Sequence, residues 1–207
     1  MAEFAGVTGR RLVPVVVLED VEAAGPLGEA LVAGGLPVAE VTFRTPAAEA
    51  ALAAMAADPR LTVGAGTVIN ADQVDRAVAA GAKFVVSPGF SPAVVRRCAT
   101  LGVPVFPGVA NATDIIAALD EGVEVLKFFP AEQLGGLPML AALAAPFPQV
   151  RFIPTGGITP ELAPTYLAHP KVVAIGGTWM VAPKLIAAGD WPEITRLAAE
   201  AVAMGKV

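Results

Sequence analysis

The segment VAEVTFRTPAAEAALAAMAADPRLTVGAG (38–66) decides the fold. It opens on a β-branched run, VAEVTF (38–43), and turns at Thr45-Pro46. It then passes through an Ala- and Leu-rich stretch of helical composition and closes on a second run, LTVGAG (61–66). Strand, helix and strand at this length make a crossover unit, the connection that parallel neighbours require. The unit recurs outward in both directions. Upstream lies LVPVVVL (12–18); downstream lie KFVVS (83–87), VPVFP (103–107), VEVLKFF (123–129), VRFIPT (150–155) and VVAIGG (172–177). Helix starts are read at Thr45-Pro46, Ser91-Pro92 and Thr159-Pro160, each a capping hydroxyl before a proline at the first helical position. Asn70 with Gln73 reads as a capping-box variant. Gly35, Gly81, Gly102 and Gly122 mark helix ends.

Strands alternating with helices in this way predict an α/β fold, a parallel (β/α)8 barrel of the TIM type. It is read as a single domain over 1–207, with a short helix over residues 1–10 capping the barrel floor. An open doubly wound sheet is the competitor. Its dinucleotide fingerprint belongs after the first strand, where EDVEAAGPLGEA (19–30) lacks the Gly-x-Gly-x-x-Gly pattern.

Composition narrows the function classes. The chain is 55% hydrophobic and 16% charged, which excludes the apolar-poor, charge-rich signature of disorder. No apolar run approaches the roughly 18 residues that span a bilayer. The start, MAEFAGVTGRR, lacks a signal-peptide core, so a cytoplasmic protein without a membrane partner is expected. A net charge of −5 without a basic cluster argues against a nucleic-acid surface. Cys98 and His169 are the single cysteine and histidine. An internal disulfide is excluded, and a zinc-type site, which recruits several such ligands, is not expected. Neither a metal nor a cofactor is predicted.

Barrel chemistry sits at the C-terminal ends of the strands. Of five lysines, Lys83 and Lys171 lie at strand starts, Lys184 in a late helical segment and Lys206 in the tail. Lys127 stands near the end of an apolar strand, in VLKFFPAE. A lysine withdrawn from water favours the neutral amine, which is the nucleophile; the alternative is a rim lysine that snorkels to solvent. In VAEVTFRT, alternation sends Glu40, Thr42 and Arg44 to one side and Ala39, Val41 and Phe43 to the other. The polar set would project into the barrel mouth as an acid/base carboxylate and a carboxylate-binding guanidinium. A structural salt bridge is the bland reading, and Glu19 is a rival base. Pro154-Thr155-Gly156-Gly157 and Gly176-Gly177-Thr178 close the last two strands, where barrels commonly cradle phosphate with backbone N–H groups. Gly64-Ala65-Gly66-Thr67, Ser87-Pro88-Gly89 and Pro107-Gly108 line the same rim. Each glycine group also reads as a plain turn or as relief at a crowded strand end.

The segments PVVVLE, ALVAGGLPVAEVTFRT, VGAGTVIN, VVSPGF, PVFPGVA, KFFPAE, FIPTGGI and IGGTWM, in this order, run from the first strand to the last. In them the chain resembles the 2-keto-3-deoxy-6-phosphogluconate (KDPG) and 4-hydroxy-2-oxoglutarate (KHG) aldolases. The resemblance implies a barrel, a homotrimer and a class I aldolase that needs neither metal nor cofactor. Its small-molecule partners would be a 2-keto acid and an aldehyde or aldehyde phosphate. Lys127 would form the Schiff base and Glu40 would act as general acid/base. Arg44 and Thr67 would hold the pyruvate carboxylate, while Pro88, Phe129 and Thr155 would contact substrate. Gly156, Gly157, Gly177 and Thr178 would contact phosphate. Phe43 replaces a more usual leucine and Thr178 a common serine, which touches fine specificity and not reaction class. The galactonate epimer as substrate, a non-covalent phosphate-binding isomerase or synthase barrel, and a non-catalytic phosphate-binding barrel are the rival readings.

Overall fold

A computed structural model describes residue 7 and residues 9–205. Its elements are β1 (Leu12–Val16), α1 (Ala24–Ala33), β2 (Val38–Thr42), α2 (Ala48–Ala56), β3 (Thr62–Gly66), α3 (Ala71–Ala79), β4 (Val85–Val86), α4 (Pro92–Leu101), β5 (Val105–Phe106), β6 (Gly108–Val109), α5 (Ala112–Asp120), β7 (Val125–Phe128), α6 (Gly136–Ala144), β8 (Arg151–Phe152), α7 (Ala163–Leu167), β9 (Ile175–Gly177), α8 (Pro183–Ala188) and α9 (Trp191–Met204). Single 3-10 turns occur at Val21–Ala23 and Trp179–Val181. Most of the helix expected over 1–10 lies outside the described residues; of that stretch, Val7 is helical and buried.

All strand pairing is parallel, as the crossover units require. One sheet has six strands in the order β5-β4-β3-β2-β1-β9, and a second has three in the order β6-β7-β8. The fifth sequence run, 103–107, therefore holds β5 alone, and a further strand piece, β6, follows it directly. Pro107 has no N–H to donate, and the chain changes partner there. Val85 and Val86 pair with Val105 and Phe106 before the proline, while Gly108 and Val109 pair with Lys127 and Phe128 after it. At the other junction, isolated bridges join Phe152 to Val172 and Thr155 to Gly176. The parallel α/β expectation is met, with pairing divided between two sheets. Every residue of β1 and of β2 is buried; β1 reads accordingly as a near-continuous apolar run, while β2 buries Glu40 and Thr42 among apolar residues.

Helix ends follow the sequence in some places and depart from it in others. Asn70 caps α3 by accepting from the Gln73 N–H at 2.9 Å, and Gln73 accepts in return from the Ile69 N–H at 2.8 Å. Ser91 caps α4 with Pro92 in its first turn. Thr45 does not cap: α2 begins at Ala48, and the Thr45 hydroxyl donates to the Leu18 carbonyl at 2.5 Å. Thr159-Pro160 likewise opens a turn, with α7 starting at Ala163. In both cases a bond to a more distant acceptor or an added turn outcompetes the local cap. The four helix-end glycines all take left-handed φ values, between 67° and 98°, a conformation that L side chains resist.

Candidate active site

Glu40 is the middle residue of β2 and Lys127 the third residue of β7, so the first belongs to the six-stranded sheet and the second to the three-stranded one. Their side chains meet across the interior. Lys127 Nζ donates to Glu40 Oε1 at 3.1 Å, with both residues almost wholly buried, 4% and 3% exposed. A lone buried charge of either sign would be costly, and the two offset one another. Nζ also stands 5.1 Å from the centroid of the half-buried Phe129 ring, within cation–π range. A cavity of about 10 Å³ adjoins the pair, with an apolar floor of Val7, Val13, Phe84, Val86, Phe106 and Ile153 and with Thr155 also on its wall.

Glycine makes room for this contact. In register, Glu40 faces Gly64 and Thr42 faces Gly66. A Cβ on Gly66 would stand 2.3 Å from Glu40 Oε1 and 2.6 Å from its Cγ, so the carboxylate lies flat on the Gly66 backbone. A Cβ on Gly64 would meet the Phe84 ring at 2.4 Å. Phe84 packs edge-on against Phe106 at 6.0 Å, which fixes the floor.

Arg44 and Thr67, linked in the sequence by the family resemblance alone, are hydrogen-bond partners. Arg44 Nε donates to Thr67 Oγ1 at 3.2 Å on the exposed rim. Thr67 has φ +60°, the left-handed region that a β-branched residue rarely enters. Strain of this kind persists where surrounding structure over-determines it, and it is enriched at ligand sites. β2 ends at Thr42, and the Arg44 N–H returns to the Thr42 carbonyl at 2.8 Å. This turn carries the guanidinium out of the strand pattern to the rim. Among the described residues no hydrogen bond joins Arg44 and Thr67 to the Lys127–Glu40 pair. Chain continuity joins them instead, because Gly66 under Glu40 is followed directly by Thr67.

The glycine groups occupy the ends of the last two strand segments. Thr155 is buried and packs against Gly176, where a Cβ would lie 2.2 Å from its Oγ1. Gly156 and Gly157 follow with φ of 106° and 78°. The Trp179 ring covers Gly177, leaving 2.0 Å for a Cβ, and Thr178 is exposed beside it. Pro88 is half-buried, with its carbonyl against Gly108. Glu19 is exposed, and the buried amine pairs with Glu40 instead. Lys171 donates to the Pro148 carbonyl at a strand start, and Lys206 lies outside the described residues. Among the described residues no group of three or more His, Cys, Asp or Glu side chains is placed to hold a metal ion. Sequence pattern does not single out Gly66, whose contribution is the room that its missing side chain leaves for Glu40.

The chain is similar to known proteins along most of its length. The family model for KDPG and KHG aldolase matches residues 5–197. A 2-dehydro-3-deoxy-phosphogluconate aldolase of Treponema pallidum (strain Nichols) is 53% identical over 188 residues, 90% of each chain. The crystal structure of the 2-keto-3-deoxy-6-phosphogluconate aldolase of Zymomonas mobilis ZM4 with 3-phosphoglycerate has a TM-score of 0.89 at 49% identity, covering 94% of this chain and 91% of that one. The KDPG aldolase of Legionella pneumophila, with pyruvate captured at low pH as a covalent carbinolamine intermediate, has a TM-score of 0.90 at 42% identity, covering 96% and 95%. Likeness this deep, over nine-tenths of both chains, places the protein by descent: it belongs to the KDPG and KHG aldolase family.

Proposed function

We propose that this chain is a class I aldolase that cleaves KDPG to pyruvate and glyceraldehyde 3-phosphate, and KHG to pyruvate and glyoxylate. The observation that carries the reading is the buried Lys127–Glu40 contact of 3.1 Å between β7 and β2. A carboxylate on the amine takes up the ammonium proton and frees the nucleophile. The neutral Lys127 amine attacks C2 of the keto acid; the carbinolamine hydroxyl then takes the proton from Glu40 and leaves as water, giving an iminium and returning Glu40 to its carboxylate form. Glu40 accepts the C4 hydroxyl proton as the C3–C4 bond breaks; its electron pair enters the iminium to form an enamine, and the aldehyde leaves. Glu40 returns a proton to C3, and hydrolysis releases pyruvate and the amine. Arg44, oriented by Thr67, holds the carboxylate. Pro88, Phe129 and Thr155 shape the pocket around the pyruvyl group. Gly156, Gly157, Gly177 and Thr178 take the phosphate end. The carbinolamine in the Legionella relative and the 3-phosphoglycerate in the Zymomonas relative support both halves of this assignment.

The same reading treats residues 1–207 as one domain and the two sheets as one closed eight-stranded barrel. In it, β5 and β6 are halves of one strand, and the Phe152–Val172 and Thr155–Gly176 bridges close the seam. It also takes the assembly to be a homotrimer in the cytoplasm. Exposed Ile69, Ile116 and Met139 offer apolar surface for association, and among the described residues no helix is long and apolar enough to cross a membrane. The deciding experiment is intact-mass analysis and peptide mapping after incubation with pyruvate and sodium borohydride. One reduced pyruvyl adduct, on the Lys127 peptide and absent from Lys127→Ala, is expected. A folded enzyme that gives no adduct under conditions that trap a known Schiff-base aldolase overturns the covalent mechanism.

A further inference from the structure

Glu132 puts a carboxylate beside the loop assigned to the phosphate, where a free negative charge would repel the ligand. Its surroundings restrain it. Successive N–H groups of Ala131 and Glu132 donate to the successive carbonyls of Thr155 and Gly156, at 2.9 and 3.1 Å. In a trans peptide the carbonyl of one residue and the N–H of the next point in opposite directions. The Gly156 and Gly157 N–H groups are thereby turned away from residues 131–132. The Glu132 side chain closes the other face of the turn. A Cβ on Gly157 would stand 2.8 Å from Glu132 Cβ and 3.0 Å from its Cγ. The carboxylate itself is held off the loop, because Oε1 accepts the phenolic hydrogen of Tyr166 on α7. Tyr166 is 2% exposed. Burial, and then the bond to Glu132, hold its phenol protonated well above the usual range, so it remains a donor. Gly136, at the start of α6, leaves room for the contact: a Cβ there would lie 3.0 Å from Glu132 Oε1 and 3.3 Å from the Tyr166 oxygen.

We propose that Glu132, held by Tyr166, is a positioning residue that sets the Gly156–Gly157 turn and so determines affinity for the phosphorylated end of the substrate. The inference rests on the aldolase reading and on the phosphate lying at that turn. It separates two substrates that share a pyruvyl half and differ at the other end. KDPG carries the phosphate, and KHG carries a carboxylate on a shorter chain.

The test is steady-state kinetics of Tyr166→Phe, which removes the phenolic oxygen that Glu132 accepts from. KM for KDPG rises about tenfold, the scale of one hydrogen bond to a charged group. At the same time kcat/KM for KHG, and the rate of borohydride trapping with pyruvate, stay within about twofold. Glu132→Ala gives the same selective rise, and Glu132→Gln, which keeps an acceptor oxygen for Tyr166, restores KM to within about threefold. Equal losses on both substrates, or no change on KDPG, overturn the proposal while trapping continues to support the aldolase. Absence of trapping in the unsubstituted enzyme removes the aldolase reading itself.

Discussion

At the scale of single residues, the site depends on two side chains that meet and one that is missing. Glu40→Gln keeps the shape of the side chain but removes the proton acceptor. Its kcat falls by about 10²–10⁴-fold, the usual range for a general acid/base, while pyruvate is still reduced onto Lys127. Turnover near that of the unsubstituted enzyme would return the role of base to another carboxylate. Gly66 is the missing side chain. Gly66→Ala places a methyl group where the Glu40 carboxylate lies, and the carboxylate shifts by about an ångström. A displacement of that size costs on the order of 10²-fold in rate, read as kcat with circular dichroism unchanged. A fully active Gly66→Ala enzyme would mean that Glu40 works from elsewhere.

At the scale of the element, β2 and β7 carry Glu40 and Lys127, and α3 and α4 each start on a side-chain cap of their own. Asn70 bonds the first turn of α3 from just beyond Thr67, so it anchors the far side of the strained rim residue. Asn70→Ala lowers the unfolding free energy by about 1 kcal/mol, measured as a reduced urea midpoint with an unaltered slope. A change within error would show that the Gln73 return bond is sufficient without it. β7 and the turn at Pro107 make the other elementary unit. Because the proline hands the chain from β4 to β7, the β6–β7 pairing that sets Gly108 opposite Lys127 exists only past that break.

For the whole molecule, the Lys127–Glu40 pair connects the two sheets at their centre, and one continuous apolar core extends beneath and around it. Exposed Ile69, at 59%, stands two residues beyond Thr67, so association through Ile69 would engage the loop that carries Thr67. Sedimentation at micromolar concentration should give three times the 20.9 kDa chain mass. A monomer would show that the exposed isoleucines and Met139 have no such partner.

The sequence alone carries the crossover repeat, because a buried parallel strand must be an apolar run and a crossover must be a helix, and both are local patterns. It also carries Lys127, since a lysine near the end of an apolar strand is conspicuous wherever it occurs. Strand parity places Glu40 on the inward side. Parity stops at the last strand residue, so it cannot foresee the turn that returns Arg44 to Thr67, nor the bond that takes Thr45 from its cap to Leu18. The 3.1 Å contact between residues 87 positions apart belongs to the tertiary structure, as do the bed that Gly66 forms for Glu40 and the hold of Tyr166 on Glu132. Each depends on which strands and loops become neighbours, a matter of packing across the interior that no window of sequence contains.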